Sequence, residues 1–553
     1  MSEISTTAAP LTRAQRFRWL GLVFISMGIS LVIIDGTIVN TIFPQVIKAL
    51  SLDSTQVQWV QESYVLVFTS LLLVWGSVAD RFGRKKILIV GIVIFTAASM
   101  WAGVSTDFSS MVLARVVQGI GGSMVLPTTL SLVNANFQGK ERGIAFAIWG
   151  STIGGMVALG PVLGGWLATD FGTDGWRLAF NINLPIGAII IVGLLLFVAE
   201  SKALSAAKGI DVVGALLSIV MFLTLVFGLI EGRTYGWWLP NADHQFSIFG
   251  FDWSKDGLSI IPISLAIALV TGTLFVLWER ARAKAQKQVL LDLTLFGIAS
   301  FRNGSIAALI ISLGEFGILF ALPLWFQNVQ HLTAIQSGLV LLWLAGGAFL
   351  ASGLGGAMSG KVAPARAVQL GVMLELIGVI GTAFAVGADA GWGWVAPCLL
   401  LYGLGIGFAT AQLTGVIMVD VPVQLSGQGS GSQSTVRQIG SALGIAVLGT
   451  VLFTATQLSL ESKLDELKIS GPAKTQIVST VVDSSGGAIG AIPGILAANG
   501  GNPVDGEAAI KAADDAFSEG ARWAALAAAI FLAAGLASTF NLGSRKHDEE
   551  ADA

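Results

Sequence analysis

The stretch Gly76-Ser-Val-Ala-Asp80-Arg81-Phe-Gly83-Arg84-Lys85-Lys86 decides how this chain is organised. It is a short basic segment between two long apolar runs. Because the hydrocarbon core of a membrane does not accommodate such a density of charge, the segment must lie in water at a membrane surface. Lys and Arg gather on the cytoplasmic side of membrane proteins, so the segment also predicts which way the chain faces.

The composition predicts a protein with many membrane spans. Of the 553 residues, 54% are hydrophobic and 12% are charged, and the mean hydropathy is +0.77. Soluble domains carry roughly 25% charged residues. Cys398 is the single cysteine, so neither a disulfide framework nor a cysteine-built metal site is expected. We expect no metal, no cofactor and no nucleic-acid partner.

Fourteen windows are long and apolar enough for a transmembrane helix, which needs about 20 residues. They are 18–44, 56–79, 87–105, 109–133, 142–169, 178–199, 211–232, 257–278, 303–326, 336–358, 367–388, 392–418, 434–459 and 520–541. With the N-terminus in the cytoplasm, 21 of the 31 Lys and Arg fall on the cytoplasmic side and 9 on the other. The positive-inside rule therefore predicts a multi-pass protein of the cell membrane with both termini in the cytoplasm.

An internal repeat predicts a duplicated fold. Gly356-Ala-Met-Ser-Gly360-Lys361-Val-Ala-Pro-Ala-Arg366 is a degenerate copy of the opening segment, with Gly360 in place of Asp80. The first copy follows the second window and this copy follows the tenth. We therefore expect an all-α integral membrane protein with a six-helix half at 1–200, two inserted helices at 201–302, and a second six-helix half at 303–553. Two such halves are typical of transporters, which bind their substrate between them.

Two segments on the outer side are unusual. The first, 233–256, is rich in Trp and Phe, which predicts either an aromatic belt at the membrane interface or a lid over the outer mouth. The second, 460–519, is a long acidic outer loop that begins with a short amphipathic helix at 461–468.

Charged residues inside membrane spans are costly, so each is a candidate functional residue. From the rise of an α-helix, Asp35 lies about 24 Å above the inner end of its helix, and Glu62 and Arg115 lie about 9 Å below the outer ends of theirs. These similar depths predict a proton-exchange cluster of Asp35, Glu62 and Arg115. The structural alternative is a fixed buried ion pair, and for Glu62 a merely polar helix face.

The second half carries its own acids. Glu315 and Glu375 lie about 18 Å and 12 Å above the inner ends of their helices. Aromatic residues surround Glu315 in the sequence, and an acid among aromatic rings suits a lipophilic cation. We predict a substrate site composed of Glu315, Phe316, Phe320, Trp325 and Glu375. The structural alternative is that both acids are polar contacts in helix packing.

Several motifs resemble those of the major facilitator superfamily, and in particular its fourteen-span drug:proton antiporters. The opening segment is similar to the family's loop between helices 2 and 3. Others resemble its motifs in helices 1, 4, 5, 6 and 13: Asp35-Gly-Thr-Ile-Val-Asn40 with Pro44, Arg115-Val-Val-Gln118-Gly119, Gly160-Pro161-Val-Leu-Gly164-Gly165, Asn183-x-Pro185-x-Gly187, and Gly427-Gln-Gly-Ser-Gly431 before Arg437. The resemblance implies proton coupling through Arg115. Glu62 occupies a position that varies in the family, so the resemblance assigns it no role.

Two of these motifs predict the moving parts. The resemblance implies that Asp80 and Arg84 latch the loop to a neighbouring helix end in one of two states, and Gly76, Arg81 and Gly83 complete this gating group; a loop that only enforces topology is the alternative. In the fifth helix, Gly160, Gly164 and Gly165 permit close helix approach and Pro161 bends the helix.

The sequence therefore predicts a proton-coupled antiporter for multidrug efflux, and thus antibiotic resistance, which exports hydrophobic cationic compounds by alternating access as a monomer. The alternative is the same machine exporting one dedicated solute, such as a lipid, an amino acid or a self-made antibiotic. An enzyme is disfavoured, because the chain lacks the His-Glu-x-x-His, Gly-x-Ser-x-Gly and phosphate-loop motifs.

Overall fold

The computed structural model describes residues 17–52, 54–202, 211–241, 245–248, 251–358, 362–500 and 505–542. The first half consists of α1 Arg18–Leu50, α2 Ser54–Phe82, α3 Arg84–Val104, α4 Phe108–Asn136, α5 Gly139–Asp170, α6 Gly175–Asn181 and α7 Asn183–Phe197. The middle of the chain contains α8 Val212–Ile230, α9 Gly232–Tyr235, the strands β1 Ser247–Ile248 and β2 Phe251–Asp252, and α10 Ile260–Lys284. The second half consists of α11 Ala299–Asn328, α12 Ala334–Met358, α13 Pro364–Ala385, α14 Val395–Met418, α15 Ser426–Glu466, α16 Gly471–Asp483, α17 Ile492–Ala498 and α18 Asp505–Thr539.

The predicted all-α membrane fold is confirmed. In the described ranges, thirteen helical segments are long and apolar enough to cross a membrane, with α6 and α7 counted as one. The one remaining predicted window, 336–358, falls on α12, whose apolar part is the shorter stretch Ile335–Ala351. Exposed apolar side chains such as Leu269 and Phe384 need a lipid environment, so the chain is a multi-pass membrane protein. Gly360 and Lys361 of the degenerate repeat lie outside the described residues.

The segment 460–519 is largely helical and is therefore not an open loop. Helix α15 continues to Glu466, so the predicted amphipathic helix is the end of a transmembrane helix. Apolar residues of α16, α17 and the start of α18 pack onto that extension in a small separate core, which includes Leu464, Ile477 and Ala513. A core of this kind holds the segment as a folded cap on the end of the second half.

We use "basic end" for the end of the helix bundle that carries the Gly76–Lys86 segment, and "opposite end" for the other. The two halves contact each other through α2 with α15 and through α5 with α12. Glycines permit both approaches: a Cβ at Gly76 would overlap Gly427, and one at Gly165 would lie 3.0 Å from the backbone nitrogen of Ile335. Close approach of backbones at small residues is how transmembrane helices pack without a hydrophobic driving force.

The two inserted helices pack against each other, and α8 also packs against α2. At the basic end, Asp211 caps α8 by accepting a hydrogen bond from the backbone N–H of Gly214, at 2.9 Å. The same carboxylate pairs with Arg282 of α10 at 3.1 Å and accepts a hydrogen bond from the indole of Trp278 at 2.9 Å. One acid thus joins the two inserted helices.

The aromatic residues of 233–256 are divided between core and surface. Tyr235 and Phe246 are buried in a small cluster with Ile261, against which Trp59 of α2 also packs, whereas Trp238 is exposed. The strand pair at 247–252 lies within this segment, and Phe249 is outside the described residues. The segment therefore covers the ends of α2, α8 and α10, while its exposed tryptophan suits a membrane interface.

Candidate functional site

Asp35 is the centre of a fully buried polar network in the first half. Arg115 of α4 donates to its Oδ2 at 2.9 Å. Gln118 and Asn183 donate to its Oδ1 at 2.8 and 2.9 Å. Because only donors face its two oxygens, the arrangement suits an ionised carboxylate, with hydrogen bonds of the strong, charge-assisted kind.

The Arg115 guanidinium is almost fully buried. Its side chain is 2% exposed and lies 4.4 Å from the ring centroid of Tyr64 and 5.9 Å from that of Phe180. It also donates to Gln118 at 2.6 Å, whereas its Nε has no partner among the described groups. A buried cation of this kind depends on its anion, because breaking a buried ion pair costs about 3–5 kcal/mol.

Glu62 does not join this network. No described hydrogen bond or ion pair connects it to Asp35 or Arg115, and the ionisable group that it interacts with is Glu231, at the end of α8. Sequence depth alone placed Glu62 with Asp35, but depth does not fix the direction of a side chain around its helix. The aromatic Tyr64, two residues further along α2, is the α2 side chain that contacts Arg115.

The second half contains a looser ion pair. Glu315 of α11 lies 3.5 Å from Arg437 of α15 and accepts a hydrogen bond from Thr410 at 3.4 Å. Its carboxyl group is 4% exposed, whereas Arg437 is 18% exposed. The cavity beside the pair is about 10 Å³, which is near the size of a single water molecule. In this conformation no organic molecule fits against Glu315.

Glu375 is fully buried on α13 and neither of its oxygens has a hydrogen-bond partner among the described residues. Its backbone packs on α14, where a Cβ at Gly405 would overlap it. Glu375 thus lies between packed helices, close enough to Glu315 for their charges to interact. The structure places it next to Glu315, as the substrate-site prediction requires, but gives it no open surface.

The three aromatic residues of the predicted substrate site differ in burial and in their contacts. Trp325 is fully buried and donates to Ser518 of α18 at 3.0 Å, so it packs α11 onto α18. Phe320 is half-buried and lies 6.5 Å from the ring of Phe453 on α15. Phe316 is half-buried one residue after Glu315. Only Phe316 and Phe320 retain surface that a ligand can contact.

At the basic end, Asp80 binds the first turn of α15. Its Oδ1 accepts from the backbone N–H of Gly427 at 2.8 Å, and its Oδ2 accepts from that of Gln428 at 3.0 Å. The N-terminus of a helix carries free N–H groups and a partial positive charge, so a carboxylate is stabilised there. Because α2 and α15 belong to different halves, this contact holds the two halves together at the basic end.

Arg84 completes the contact. It donates to Asp80 at 2.6 and 3.0 Å and to the carbonyl oxygen of Val423 at 2.6 Å. Arg81 instead donates to Gln288, beside the inserted helices, at 3.1 Å. Gly83 has φ +113°, and a Cβ there would meet the carboxylate of Glu200 at 2.7 Å. Asp80 and Arg84 of the predicted gating group therefore lie together at the start of α15. Arg81 instead contacts the segment that follows the inserted helix α10.

The glycine motif of α5 lies against α1. A Cβ at Gly160 would lie 2.9 Å from the backbone nitrogen of Ile38, and one at Gly164 would lie 2.9 Å from its carbonyl oxygen. Both would also overlap threonine side chains of α1. Gly165 faces α12 of the other half, and Pro161 lies inside the helix between them. This part of α5 therefore contacts the helix that carries Asp35 on one side and the second half on the other.

Several residues at these sites carried no role in the sequence prediction. Gln118 and Asn183 stood within family-like motifs, but only the structure aims both at Asp35. Arg437 likewise lay in a motif, and its position opposite Glu315 is a tertiary fact. Nothing in the sequence marked Glu231 as functional, because an acid directly after an apolar helix is common at helix ends.

Comparisons with known proteins agree with this architecture. The Major Facilitator Superfamily model matches residues 25–445. The tetracenomycin C resistance and export protein of Streptomyces glaucescens is 28% identical over 477 residues, covering 86% of this chain and 83% of the relative. The probable actinorhodin transporter of Streptomyces coelicolor is 32% identical over 458 residues, covering 81% and 74%.

A solved structure agrees at the level of the fold. The structure of a proton:xylose symporter aligns with a TM-score of 0.55 at 13% identity, covering 79% of this chain and 89% of the symporter. At that identity the likeness concerns the fold alone. With a family model matched over most of its length and a relative 32% identical, this chain belongs to the major facilitator superfamily.

Proposed function

We propose that the protein is a proton-driven antiporter that exports hydrophobic, cationic compounds from the cytoplasm. The observation that carries the proposal is the buried network around Asp35, in which a carboxylate, a guanidinium and two amides meet with only donors facing the acid. The names of its relatives support export of antibiotics and drugs.

Proton binding at Asp35 would change the packing of the first half. The network joins α1 to α4 and α7 through Arg115, Gln118 and Asn183. A proton on Asp35 removes the charge that these donors bind, so their hold on α1 weakens. Because α1 packs on the glycines of α5, and α5 packs on α12, a shift of α1 reaches the interface between the halves.

The conformation described here suits the outward-facing state of such a cycle. At the basic end, the halves are joined by Asp80 to Gly427 and by Asn134 to Ser426, at 2.8 Å each. The carbonyl oxygen of Pro127 accepts a further hydrogen bond from Ser430 at 2.9 Å. With the basic end in the cytoplasm, these contacts close the cytoplasmic side, and alternating access would release them.

We assign the substrate's positive charge to Glu315. The acid pairs only loosely with Arg437, at 3.5 Å, so a cation can replace that partner once the cavity opens. The half-buried rings of Phe316 and Phe320 offer apolar contact beside it. Trp325 and Glu375 are left out of the binding site, because both are buried in helix contacts.

Export of one dedicated solute is the second candidate function. Two relatives are named for single compounds, tetracenomycin C and actinorhodin, whereas another is named a multidrug resistance protein. The two functions differ in the number of chemical classes that are transported. A panel of unrelated cations separates them, since a dedicated exporter would transport one class.

The experiment uses purified protein in liposomes with an acidic interior, so that antiport moves protons out as the cation enters. Uptake of a fluorescent lipophilic cation and the accompanying movement of protons are recorded together. We expect Asp35→Asn to remove both signals while the protein still inserts, and Asp174→Asn, an exposed acid of a surface pair, to leave both intact. Substrate-dependent proton movement of normal size in Asp35→Asn would overturn the proposal.

A further inference from the structure

The end of α8 contains a buried acid that the network around Asp35 does not use. Glu231 follows the last residue of α8 and is 1% exposed. Neither of its carboxyl oxygens accepts a hydrogen bond from a described donor, and the same holds for Oε2 of Glu62 on α2. The two carboxyl groups lie within interaction distance of each other, at the junction between the first half and the inserted helices.

Aromatic rings cover this pair at the opposite end of the bundle. Trp59 of α2 stacks near Phe227 of α8, with 6.4 Å between ring centroids. Phe227 also lies 5.5 Å from Phe246, which lies 5.3 Å from Tyr235. Tyr235 and Phe246 are both almost fully buried. The cover keeps bulk water from the carboxyl groups, so their charges are poorly screened.

In the part of the chain that the structure describes, no cation offsets the two acids. Arg233 is the nearest in sequence, but its guanidinium lies 3.6 Å from the ring centroid of Phe453 and donates to the carbonyl oxygen of Val482 at 2.9 Å. Its acidic neighbour is Asp483. Helix α15 adds the apolar Ala442 and Leu443 to this region, and α10 adds the apolar Ile261. The nearest ionisable residue on α15, Arg437, is paired with Glu315.

Tyr235 supplies a neutral donor beside the acids. Burial, followed by the nearby carboxyl groups of Glu231 and Glu62, raises the pKa of Tyr235 above its ordinary value. Its hydroxyl group therefore stays protonated at neutral pH and adds no charge. The neighbours of Glu62 and Glu231 are therefore one neutral hydroxyl group and apolar side chains.

Ionising both carboxyl groups is costly, because both oxygens of Glu231 and Oε2 of Glu62 are buried without a counter-ion among the described residues, and the two charges repel each other. A single proton shared between them removes one charge and forms a hydrogen bond between the groups. We propose that Glu62 and Glu231 form a second proton-binding site, which holds one proton between α2 and the inserted helix α8. Asp35, by contrast, is surrounded by donors that suit its ionised form.

The position of the pair indicates what the proton does. Loss of the shared proton leaves two adjacent negative charges, which push α2 and α8 apart. Helix α2 also carries Tyr64, against Arg115, and Asp80, at the basic end. Within the proposed antiport function, on which this step rests, proton release at the pair would therefore reach both the Asp35 network and the contact between the halves.

The shared proton is tested by infrared spectroscopy of the purified full-length protein, which needs no transport. A protonated carboxyl group gives a C=O stretching band that shifts in heavy water. Other buried acids such as Glu375 add bands of their own, so each variant is compared with wild type in a difference spectrum. We expect Glu62→Gln and Glu231→Gln to lose the same band at neutral pH. Each new amide donates to the remaining carboxylate and stabilises its ionised form. Glu519→Gln, which changes an exposed acid at the same end, should leave the band unchanged.

Two outcomes would overturn the proposal. One is a double variant Glu62→Gln/Glu231→Gln that loses no band relative to wild type; the other is a band lost in only one of the single variants, which assigns the proton to one acid. If the Gln variants do not fold, Glu62→Leu/Glu231→Leu removes both polar groups from an apolar site and is expected to fold. Asp35→Asn should leave the band in place, so failure of antiport and failure of this site are distinguishable.

Discussion

The carboxylate of Asp80 on α2 accepts a 2.8 Å hydrogen bond from the backbone N–H of Gly427, in the first turn of α15. The two residues are far apart in sequence and lie in different halves of the fold. Asp80 exists in the first copy of the repeated segment, whereas the second copy has Gly360. The second copy therefore lacks the carboxylate that makes this contact in the first.

Asp80→Asn is expected to open the basic end. A hydrogen bond to a charged group contributes about 1.5–3 kcal/mol, so its loss should raise the open fraction about tenfold or more. Spin labels at the exposed positions 86 and 424, in a Cys398→Ser background, would measure the separation of the halves. The control is Glu141→Gln, whose pair with Arg18 is about 40% exposed and contributes little. An unchanged distance distribution in Asp80→Asn would show that the Gly76–Lys86 segment only sets the topology and does not hold the halves together.

Arg115→Ala is expected to lose proton-coupled transport and also stability. The change leaves the Asp35 carboxylate buried without its cation, which costs about 3–5 kcal/mol. The double variant Asp35→Asn/Arg115→Gln removes both charges, so it should regain most of the thermal stability and none of the transport. Thermal unfolding in detergent and the liposome assay give the two readouts. Recovery of transport in the double variant would make the pair a purely structural contact.

Gly160→Ala and Gly164→Ala are expected to disturb the packing of α5 on α1. Each new methyl group would lie within 2.9 Å of α1 backbone atoms, and overpacking of this kind typically costs about 1–3 kcal/mol. Gly346→Ala is the matched control, because nothing lies within 4 Å of a Cβ at that position of α12. Transport rate and thermal stability would both be measured. Equal behaviour of all three variants would show that the close approach is dispensable.

Glu315→Gln is expected to weaken transport of cations about tenfold more than that of neutral compounds, because only cations use its charge. Glu375→Gln should leave the ratio of cation to neutral transport unchanged, since Glu375 is fully buried between α13 and α14. Competition assays with a cationic and a neutral panel measure that ratio. Equal loss of both panels in Glu315→Gln would indicate a proton-binding or structural role for this acid.

The sequence by itself determined the architecture. A transmembrane helix can be predicted locally, because a stretch of about 20 apolar residues makes all its backbone hydrogen bonds within itself in lipid. All fourteen predicted windows accordingly fall on helices, and Asp35 and Arg115 were predicted, together with Glu62, to form one cluster because charges inside membrane spans are costly. Outside the membrane the sequence predicts structure less well. The acidic segment 460–519 was predicted to be a loop, although its apolar residues form a small helical core.

Only the tertiary structure decided which side chains meet. Depth along a helix can be counted, but direction around its axis depends on packing, and one residue changes it by about 100°. Glu62 therefore shared a predicted depth with Asp35 and yet faces Glu231, while Gln118 and Asn183 converge on Asp35. Asp80 was expected at some helix end. That this end is the first turn of α15 follows from how the two halves pack, which no local pattern encodes.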